Sequence, residues 1–124
     1  MKSKLFFIYL ILFICSAGAE WIQVNSDPVA TDYADFTSII KDGDFRRIWE
    51  VTDFKARGED GESSKRFLTE YDCKNNRLRV GSMTLFSGRM LNGNVIRQID
   101  KTSRWMDLPP DSNGLYIFRK VCAY

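Results

Sequence analysis

Residues 66–86 read RFLTEYDCKNNRLRVGSMTLF, and this stretch decides the fold. Successive side chains of a β-strand point to opposite faces, and charged residues stand two apart on each side of a central turn, at Glu70 and Asp72 and at Arg77 and Arg79. Lys74-Asn75-Asn76 supplies a turn, because asparagine tolerates the left-handed backbone conformation. The stretch therefore predicts a β-hairpin with one apolar and one charged face. The expected apolar face holds Phe67, Thr69, Tyr71 and Cys73 on the first strand and Leu78, Val80, Ser82, Thr84 and Phe86 on the second.

Shorter extended segments precede the hairpin. Residues 21–25 alternate between apolar and polar side chains and predict a first strand. Residues 30–35 form a short second segment, and residues 36–40 fit either one turn of helix or another short strand. Residues 41–44, Lys-Asp-Gly-Asp, are a turn signal that ends this region.

A long strand is predicted over residues 45–54, which are rich in aromatic and β-branched side chains. Its alternation places Phe45, Trp49 and Val51 on one face. A further strand is expected over residues 94–99, beyond a loop that contains two glycines. The aromatic side chains expected in the core are Trp49, Phe67, Tyr71, Phe86 and Phe118.

The sequence changes its period after Pro109-Pro110. Asp111 or Ser112 can cap a helix, and the apolar residues that follow have helical spacing. The apolar residues of this helix are Leu115, Phe118, Val121 and Cys122. A helix laid across an antiparallel sheet brings Cys122 to Cys73, at the end of the first hairpin strand. The predicted fold class is α+β: a twisted antiparallel sheet with a C-terminal helix packed on one face and tied to it by a disulfide.

The first nineteen residues have the three parts of a signal peptide. Lys2 and Lys4 precede an apolar run over residues 5–14, and Ser-Ala-Gly-Ala follows at residues 16–19. A membrane anchor is the alternative, but a spanning helix needs about 20 apolar residues. We expect cleavage after Ala19.

Cys15 raises the option of a lipid anchor, since bacterial lipoproteins are cut just before a cysteine that then receives lipid. The residue before that cysteine is normally small, whereas Ile14 stands here. We therefore place Cys15 in the discarded segment. Two cysteines remain, and an even pair in an exported chain indicates a disulfide between Cys73 and Cys122. Residues 20–124 are long enough to bury one core, so a single domain is expected.

Charge gives no reason to expect a nucleic acid as partner, because the chain without Lys2 and Lys4 has equal numbers of basic and acidic residues. The charges are nevertheless unevenly distributed. Residues 20–62 hold 5 basic and 11 acidic side chains, and residues 63–124 hold 11 basic and 5 acidic ones. Either the two halves compensate each other across strands, or the second half presents a basic surface.

The absence of histidine excludes several kinds of site. Histidine acid–base catalysis, Ser-His and Cys-His nucleophiles and His-rich zinc sites all need it. Carboxylates remain: Glu70 and Asp72 on the hairpin, and Glu50 and Asp53 on the preceding strand, all expected on the solvated face. Such pairs serve glycoside hydrolysis or calcium binding, but nearby arginines indicate ion pairs instead. We expect no enzyme, no catalytic residues, no metal and no cofactor.

The best candidate for recognising an acidic protein partner is a basic stripe on one side of the hairpin. It consists of Lys65, Arg66, Arg77 and Arg79. Trp21 and Trp105 are further candidates, because exposed tryptophan and arginine dominate binding hot spots. The alternatives are a salt-bridged strand face for the stripe and core-edge positions for the tryptophans.

The order of these motifs resembles the bacterial surface-adhesin protein E family over essentially the whole mature chain. The residues that carry the resemblance are Trp21, Tyr33-Ala-Asp35, the strand at 49–53, Glu70-Tyr71-Asp72-Cys73, Phe86-Ser87-Gly88, Trp105, Pro109-Pro110 and Val121-Cys122. The resemblance implies a twisted antiparallel sheet with a disulfide-tied C-terminal helix in a bacterial envelope protein.

The namesake member of that family is a lipid-anchored outer-membrane adhesin that binds host proteins such as laminin and vitronectin and can dimerise. The resemblance therefore implies a non-enzymatic binding module, with a host matrix or serum protein, an envelope protein or a second copy as partner. Because Ile14 precedes Cys15, a periplasmic or secreted domain is expected rather than a lipid-anchored one. The alternative function is a periplasmic structural or assembly-accessory domain without a host ligand, and a carboxylate-dependent hydrolase is a distant third.

Overall fold

The computed structural model describes residues 10–11 and 18–124. Most of the expected signal peptide, including Cys15, lies outside these residues. The described chain forms a seven-stranded antiparallel sheet followed by one α-helix. The elements are β1 (Ile22–Ser26), β2 (Ala30–Asp42), β3 (Phe45–Phe54), β4 (Ser64–Asp72), β5 (Arg77–Phe86), β6 (Val95–Ile99), β7 (Met106–Asp107) and α1 (Asn113–Cys122).

Strands β1 to β6 lie side by side in chain order, and β7 returns to pair with the start of β5. The expectation of separate segments at 30–35 and 36–40 was wrong, because β2 is one strand of 13 residues with an irregularity between Asp35 and Ile40. Local hydrogen bonds replace the regular ladder there. Ser38 Oγ donates to the Asp35 carbonyl at 2.6 Å and accepts the Trp49 N–H at 3.1 Å.

Helix α1 begins where the sequence predicts. Ser112 is the N-cap, and its Oγ accepts the Leu115 N–H at 3.1 Å, which satisfies one of the free donors of the first turn. Ile117 and Val121 are the buried helix residues, while Phe118 and Cys122 pack at their sides. Ile117 was missing from the predicted apolar stripe, although it stands four residues before Val121 on the same side of the helix.

The core lies between α1 and one face of the sheet, which we call the helix face. It is built from Ala34, Ile48, Tyr71, Ile117 and Val121. Phe45, Trp49 and Val51 share a face as predicted, but it is the opposite one, which we call the open face. The placement of Trp49 in the helix-packed core was therefore wrong, since Ile48 is the β3 residue that faces α1.

Because β5 contains a β-bulge, part of the predicted face assignment of the hairpin was wrong. Thr69 pairs with Val80 but Phe67 pairs with Met83, so Leu68 lies opposite both Gly81 and Ser82. The extra residue reverses the alternation of β5. Leu78 and Val80 therefore lie on the helix face as expected, whereas Thr84 and Phe86, which pair with Arg66 and Ser64, lie on the open face.

The predicted disulfide and fold class are confirmed. Cys73 and Cys122 are bonded, with their Cα atoms 5.6 Å apart. The bond joins the end of β4 to the last turn of α1 and closes a loop across 49 residues. The chain is thus an antiparallel sheet with one C-terminal helix tied to its helix face.

No helix in the described residues combines the length and the apolar character needed to cross a bilayer.

We predict that replacing both Cys73 and Cys122 by serine lowers the free energy of unfolding by about 4 kcal/mol, because the unfolded chain regains the entropy of the open loop. Urea denaturation of wild type and the double variant measures the difference. Non-reducing mass spectrometry of the wild-type protein supplies the control for the bond itself. Equal stabilities would contradict a tethering role for the disulfide.

We also predict that Ile117→Ala costs about 2 to 5 kcal/mol, because it leaves a cavity between α1 and the sheet. The matched control is Tyr116→Ala, since Tyr116 is exposed on the same turn and should change stability by less than about 1 kcal/mol. Thermal or urea denaturation distinguishes the two variants. Similar losses at both positions would show that α1 is not docked through Ile117.

Candidate functional site

The open face is covered in part by two segments that follow β5. Residues 87–94 fold over one end of it, and residues 100–105 cross toward the other. Ser103 joins the second segment to β5, donating its backbone N–H to the Val80 carbonyl at 2.7 Å and accepting the Val80 N–H on its Oγ at 2.9 Å. The surface left between the two segments is the candidate site.

Asp53 holds the 87–94 segment in place. This buried carboxylate accepts the Met90 N–H at 2.7 Å and pairs with Arg89 at 2.9 Å. Ser64 adds a second anchor, since its Oγ accepts the Leu91 N–H and donates to the Gly88 carbonyl. Asp53 therefore has a structural task, which the sequence did not indicate.

Trp105 organises the other end of the open face. Its ring stacks on Phe45 with centroids 5.8 Å apart. The guanidinium carbons of Arg77 and Arg79 lie 4.6 and 4.3 Å from the same ring centroid, within the range of cation–π attraction. Trp105 is half-buried by these contacts and forms part of the open face, so it connects the predicted basic stripe with an aromatic surface.

Glu70 fixes two arginines from neighbouring strands. Its Oε2 accepts from Arg47 Nε at 3.0 Å and its Oε1 accepts from Arg79 Nε at 2.8 Å. The same Oε1 lies 2.6 Å from Arg79 Nη2 in an ion pair. Only 14% of the Glu70 side chain is exposed, while about a third of each arginine side chain remains exposed. Charge-assisted pairs of this kind set the orientation of the guanidinium planes.

Asp72 plays the same part for Arg77, which it meets at 2.9 Å. Burial alone raises the pKa of this carboxyl, but the side chains of Asn75 and Arg77 and the backbone N–H groups of Asn75 and Lys74 hydrogen-bond to it and together lower the pKa below its ordinary value. Asp72 is therefore ionised at neutral pH and keeps Arg77 in place.

The structure brings three of the four predicted stripe residues together and separates the fourth. Arg66, Arg77 and Arg79 lie on the open face, and Arg66 packs over the Trp49 ring at 5.0 Å. Lys65 lies on the helix face, because neighbouring residues of one strand point to opposite sides. Its ammonium group sits over Phe54 and Phe67, 5.8 and 5.2 Å from their centroids.

Sequence reasoning missed Arg47, which completes the group on the open face. It pairs with Glu70 and with the exposed Asp42. The strand alternation that places Phe45 and Trp49 together also places Arg47 between them, so the signal was present. Local ion pairs compensate much of the positive charge, as one of the two sequence interpretations expected.

Glu50 stands apart from the other carboxylates. It was expected on the solvated face but is buried on the helix face, where Tyr71 Oη donates to its Oε2 at 3.2 Å. Burial raises the pKa of Glu50 to about 7. The hydroxyls of Thr69 and Tyr71 have the opposite effect and lower this pKa, but burial outweighs them. Thr69 Oγ1 is buried and makes no well-formed hydrogen bond to any described residue.

These placements do not assemble a carboxylate pair for hydrolysis. Glu70 and Glu50 lie on opposite faces of the sheet, and Glu70 and Asp72 are occupied by arginines. Two carboxyl groups that share one sugar-sized site are the requirement for glycoside chemistry. Among residues 10–11 and 18–124, no three metal-ligating side chains converge either.

Comparison with known proteins then identifies the family. The model of the family described as surface-adhesin protein E matches residues 21–123. The chain belongs to the surface-adhesin protein E family. No curated protein sequence matches it at a significant level. The family resemblance stated from the motifs is thus confirmed, and membership of an adhesin family favours an exported or surface location and a role without catalysis.

Solved structures of Haemophilus influenzae protein E share the fold. Crystal form II superposes with a TM-score of 0.61 at 15% sequence identity, covering 86% of this chain and 97% of that one. A second crystal structure of the same protein gives a TM-score of 0.60 at 16% identity, covering 83% of each chain. The protein from non-typeable Haemophilus influenzae gives 0.60 at 16% identity, covering 88% of this chain and 79% of that one.

We predict that Glu50→Gln removes a pH dependence of stability. The folded protein holds the Glu50 proton up to about pH 7, whereas an ordinary glutamate releases it near 4.5. Between about pH 4.5 and 7 the folded chain therefore binds more protons than the unfolded chain. The free energy of unfolding falls by roughly 3 kcal/mol as the pH rises through this range.

Urea denaturation of wild type and Glu50→Gln at several values between pH 4.5 and 8 measures this difference. The glutamine variant should gain stability relative to wild type as the pH rises, because it keeps an acceptor for Tyr71 and carries no charge. A constant difference between the two proteins across the window would contradict the burial of an ionisable Glu50.

Proposed function

We propose that this protein is a non-enzymatic, exported binding module whose open face binds a protein partner, with a host matrix or serum protein as the first candidate. The observation that carries the proposal is the group of ordered arginines laid against aromatic rings: Arg66 on Trp49, and Arg77 and Arg79 on Trp105. Membership of the adhesin family supports the same conclusion.

Pre-ordered arginines favour association for an energetic reason. Binding costs free energy when mobile side chains become fixed, at about 0.5 to 1.5 kcal/mol for each flexible side chain. Glu70, Asp72 and the aromatic rings have already restricted these arginines in the free protein. Arginine and tryptophan are also the residues most enriched in binding hot spots.

The N-terminal sequence supports an exported product. We propose that residues 1–19 are a signal peptide cleaved after Ala19 and that residues 20–124 form the mature domain. Ile14 before Cys15 supports a secreted or periplasmic product without a lipid anchor. This same feature favours a second candidate function, a periplasmic structural or assembly-accessory domain with an envelope partner and no host ligand.

The location of the mature protein distinguishes these two functions. Fractionation of cells, with antibody or protease probing of intact ones, should find the protein at the surface or in the medium if it binds a host protein. Strict confinement to the periplasm would exclude the adhesin function and leave a partner within the envelope. N-terminal sequencing of the same material should begin at Glu20.

We predict that a double variant, Arg77→Gln with Arg79→Gln, weakens binding to laminin or vitronectin by about tenfold or more, as truncation of hot-spot arginines does. Surface plasmon resonance at two salt concentrations measures the loss, and the wild-type affinity should fall with salt. The matched control is Arg119→Gln with Lys120→Gln, which removes the same charge from the exposed side of α1.

Thermal denaturation must show that both double variants remain folded. Wild-type affinity in both double variants would place the binding surface elsewhere. Binding that is lost equally in both would show a dependence on net charge alone.

A further inference from the structure

The outer edge of β5 is interrupted in the middle of the strand. β6 pairs with Met83–Phe86 and β7 pairs with Arg77 and Leu78. Between them, Ser103 alone bonds to Val80, and no strand in the described part of the chain pairs with Gly81 or Ser82 on this side. The break leaves a recess beside the open face, which we call the edge pocket.

The edge pocket has a volume of about 360 Å³, at the lower end of the range for small-ligand sites. It is suited to one or two amino-acid side chains. Its lining includes Arg47, Glu70, Arg79, Ser82, Asp100 and Thr102. Residues of three neighbouring strands, β3, β4 and β5, therefore meet the 100–105 segment there.

Two arginines in the pocket keep donors for a ligand. Glu70 accepts hydrogen bonds from the Nε of Arg47 and the Nε of Arg79, and it forms an ion pair with the Nη2 of Arg79. Asp42 accepts a hydrogen bond from the Nη2 of Arg47. The Nη1 groups of both arginines have no acceptor among the described residues. Because Glu70 fixes the guanidinium planes, these remaining donors are oriented before any ligand arrives.

Acceptors line the same recess. The carboxylate of Asp100, which receives only a bond from Gln98 at 3.1 Å in the described chain, lies at the rim. The hydroxyls of Ser82 and Thr102 add further acceptors. A ligand with several negative charges meets repulsion from Asp100 and Glu70, whereas a peptide offers N–H donors beside a single carboxylate.

We propose that the edge pocket binds the side chain of one aspartate or glutamate in an extended segment of a protein partner. The carboxylate accepts from Arg47 and Arg79, and neighbouring peptide N–H groups donate to Asp100 and the hydroxyls. The pocket thus serves as an anchor for the partner on the open face. This inference rests on the proposed function and names the chemistry that the face recognises.

The test is an NMR titration of the ¹⁵N-labelled mature chain with the peptide acetyl-Gly-Gly-Glu-Gly-Gly-amide. The amides of Gly81 and Ser82 and the Nε–H signals of Arg47 and Arg79 should shift and saturate. The same peptide with glutamine in place of glutamate should bind at least about fivefold more weakly, because it loses the charge-assisted bonds. Acetate should also bind more weakly than the glutamate peptide, since it has no N–H groups.

Thr102 is exposed and makes no side-chain hydrogen bond in the described structure. Thr102→Leu fills the pocket without removing a charge and should abolish the shifts, whereas the control Tyr116→Leu changes an exposed residue of α1 outside the pocket and should bind like wild type. Arg79→Lys keeps the charge but loses the paired contact with Glu70, and should weaken binding by about fivefold or more.

Several results would overturn the proposal. Shifts that appear equally in Thr102→Leu place the peptide elsewhere, and a sulfated oligosaccharide that binds the pocket more tightly than the peptide makes its ligand a polyanion. The titration needs no protein partner, so its failure leaves the broader proposal for the open face standing. Conversely, the protein could bind the peptide but show no affinity for laminin or vitronectin. That result would count against the broader proposal for the open face and not against the proposal for the edge pocket.

Discussion

A single short helix covers only one face of the sheet, and the rest of the structure depends on this constraint. Ten residues of α1 span about 15 Å, and they reach the sheet through Ile117 and Val121, with the disulfide at the end. The opposite face has no α-helix over it in the described chain, only a single 3-10 turn at Arg89–Leu91. It is closed instead by the 87–94 and 100–105 segments and by arginines packed on aromatic rings. The surface available for binding is thus a consequence of how an antiparallel sheet with one helix protects its second face.

The β-bulge opposite Leu68 decides which side chains reach that surface. Without the extra residue, Thr84 and Phe86 would continue on the helix face beside Leu78. With it, Phe86 turns to the open face while Arg77 and Arg79 stay there. The bulge lies where the outer edge of β5 is left without a strand, so the same irregularity helps to shape the edge pocket. The ion pairs at Glu70 and Asp72 then hold the arginines in fixed positions.

Much of the fold could be predicted from the sequence. The hairpin turn, the Ser112 cap and the pairing of Cys73 with Cys122 depend on local chemistry or on the number of cysteines, and the structure confirms them. The predictions about faces were less successful for a physical reason. Strand alternation tells which residues share a face but not which face receives the helix, so Trp49 and Glu50 were assigned to the wrong sides. A bulge is also invisible to a strict period of two. Lys65, in contrast, could have been separated from Arg66 from the sequence, because adjacent residues of one strand point to opposite faces.

Arginine footprinting of the bound complex tests the central claim, that the open face is the binding surface, most directly. Wild-type protein is labelled with phenylglyoxal in the presence and absence of laminin or vitronectin, and the modified peptides are quantified by mass spectrometry. The account predicts protection of Arg66, Arg77 and Arg79 in the complex, with no change at Arg119 on the exposed side of α1. Protection of Arg119 with unchanged labelling of Arg77 and Arg79 would contradict it and move the binding surface to the helix.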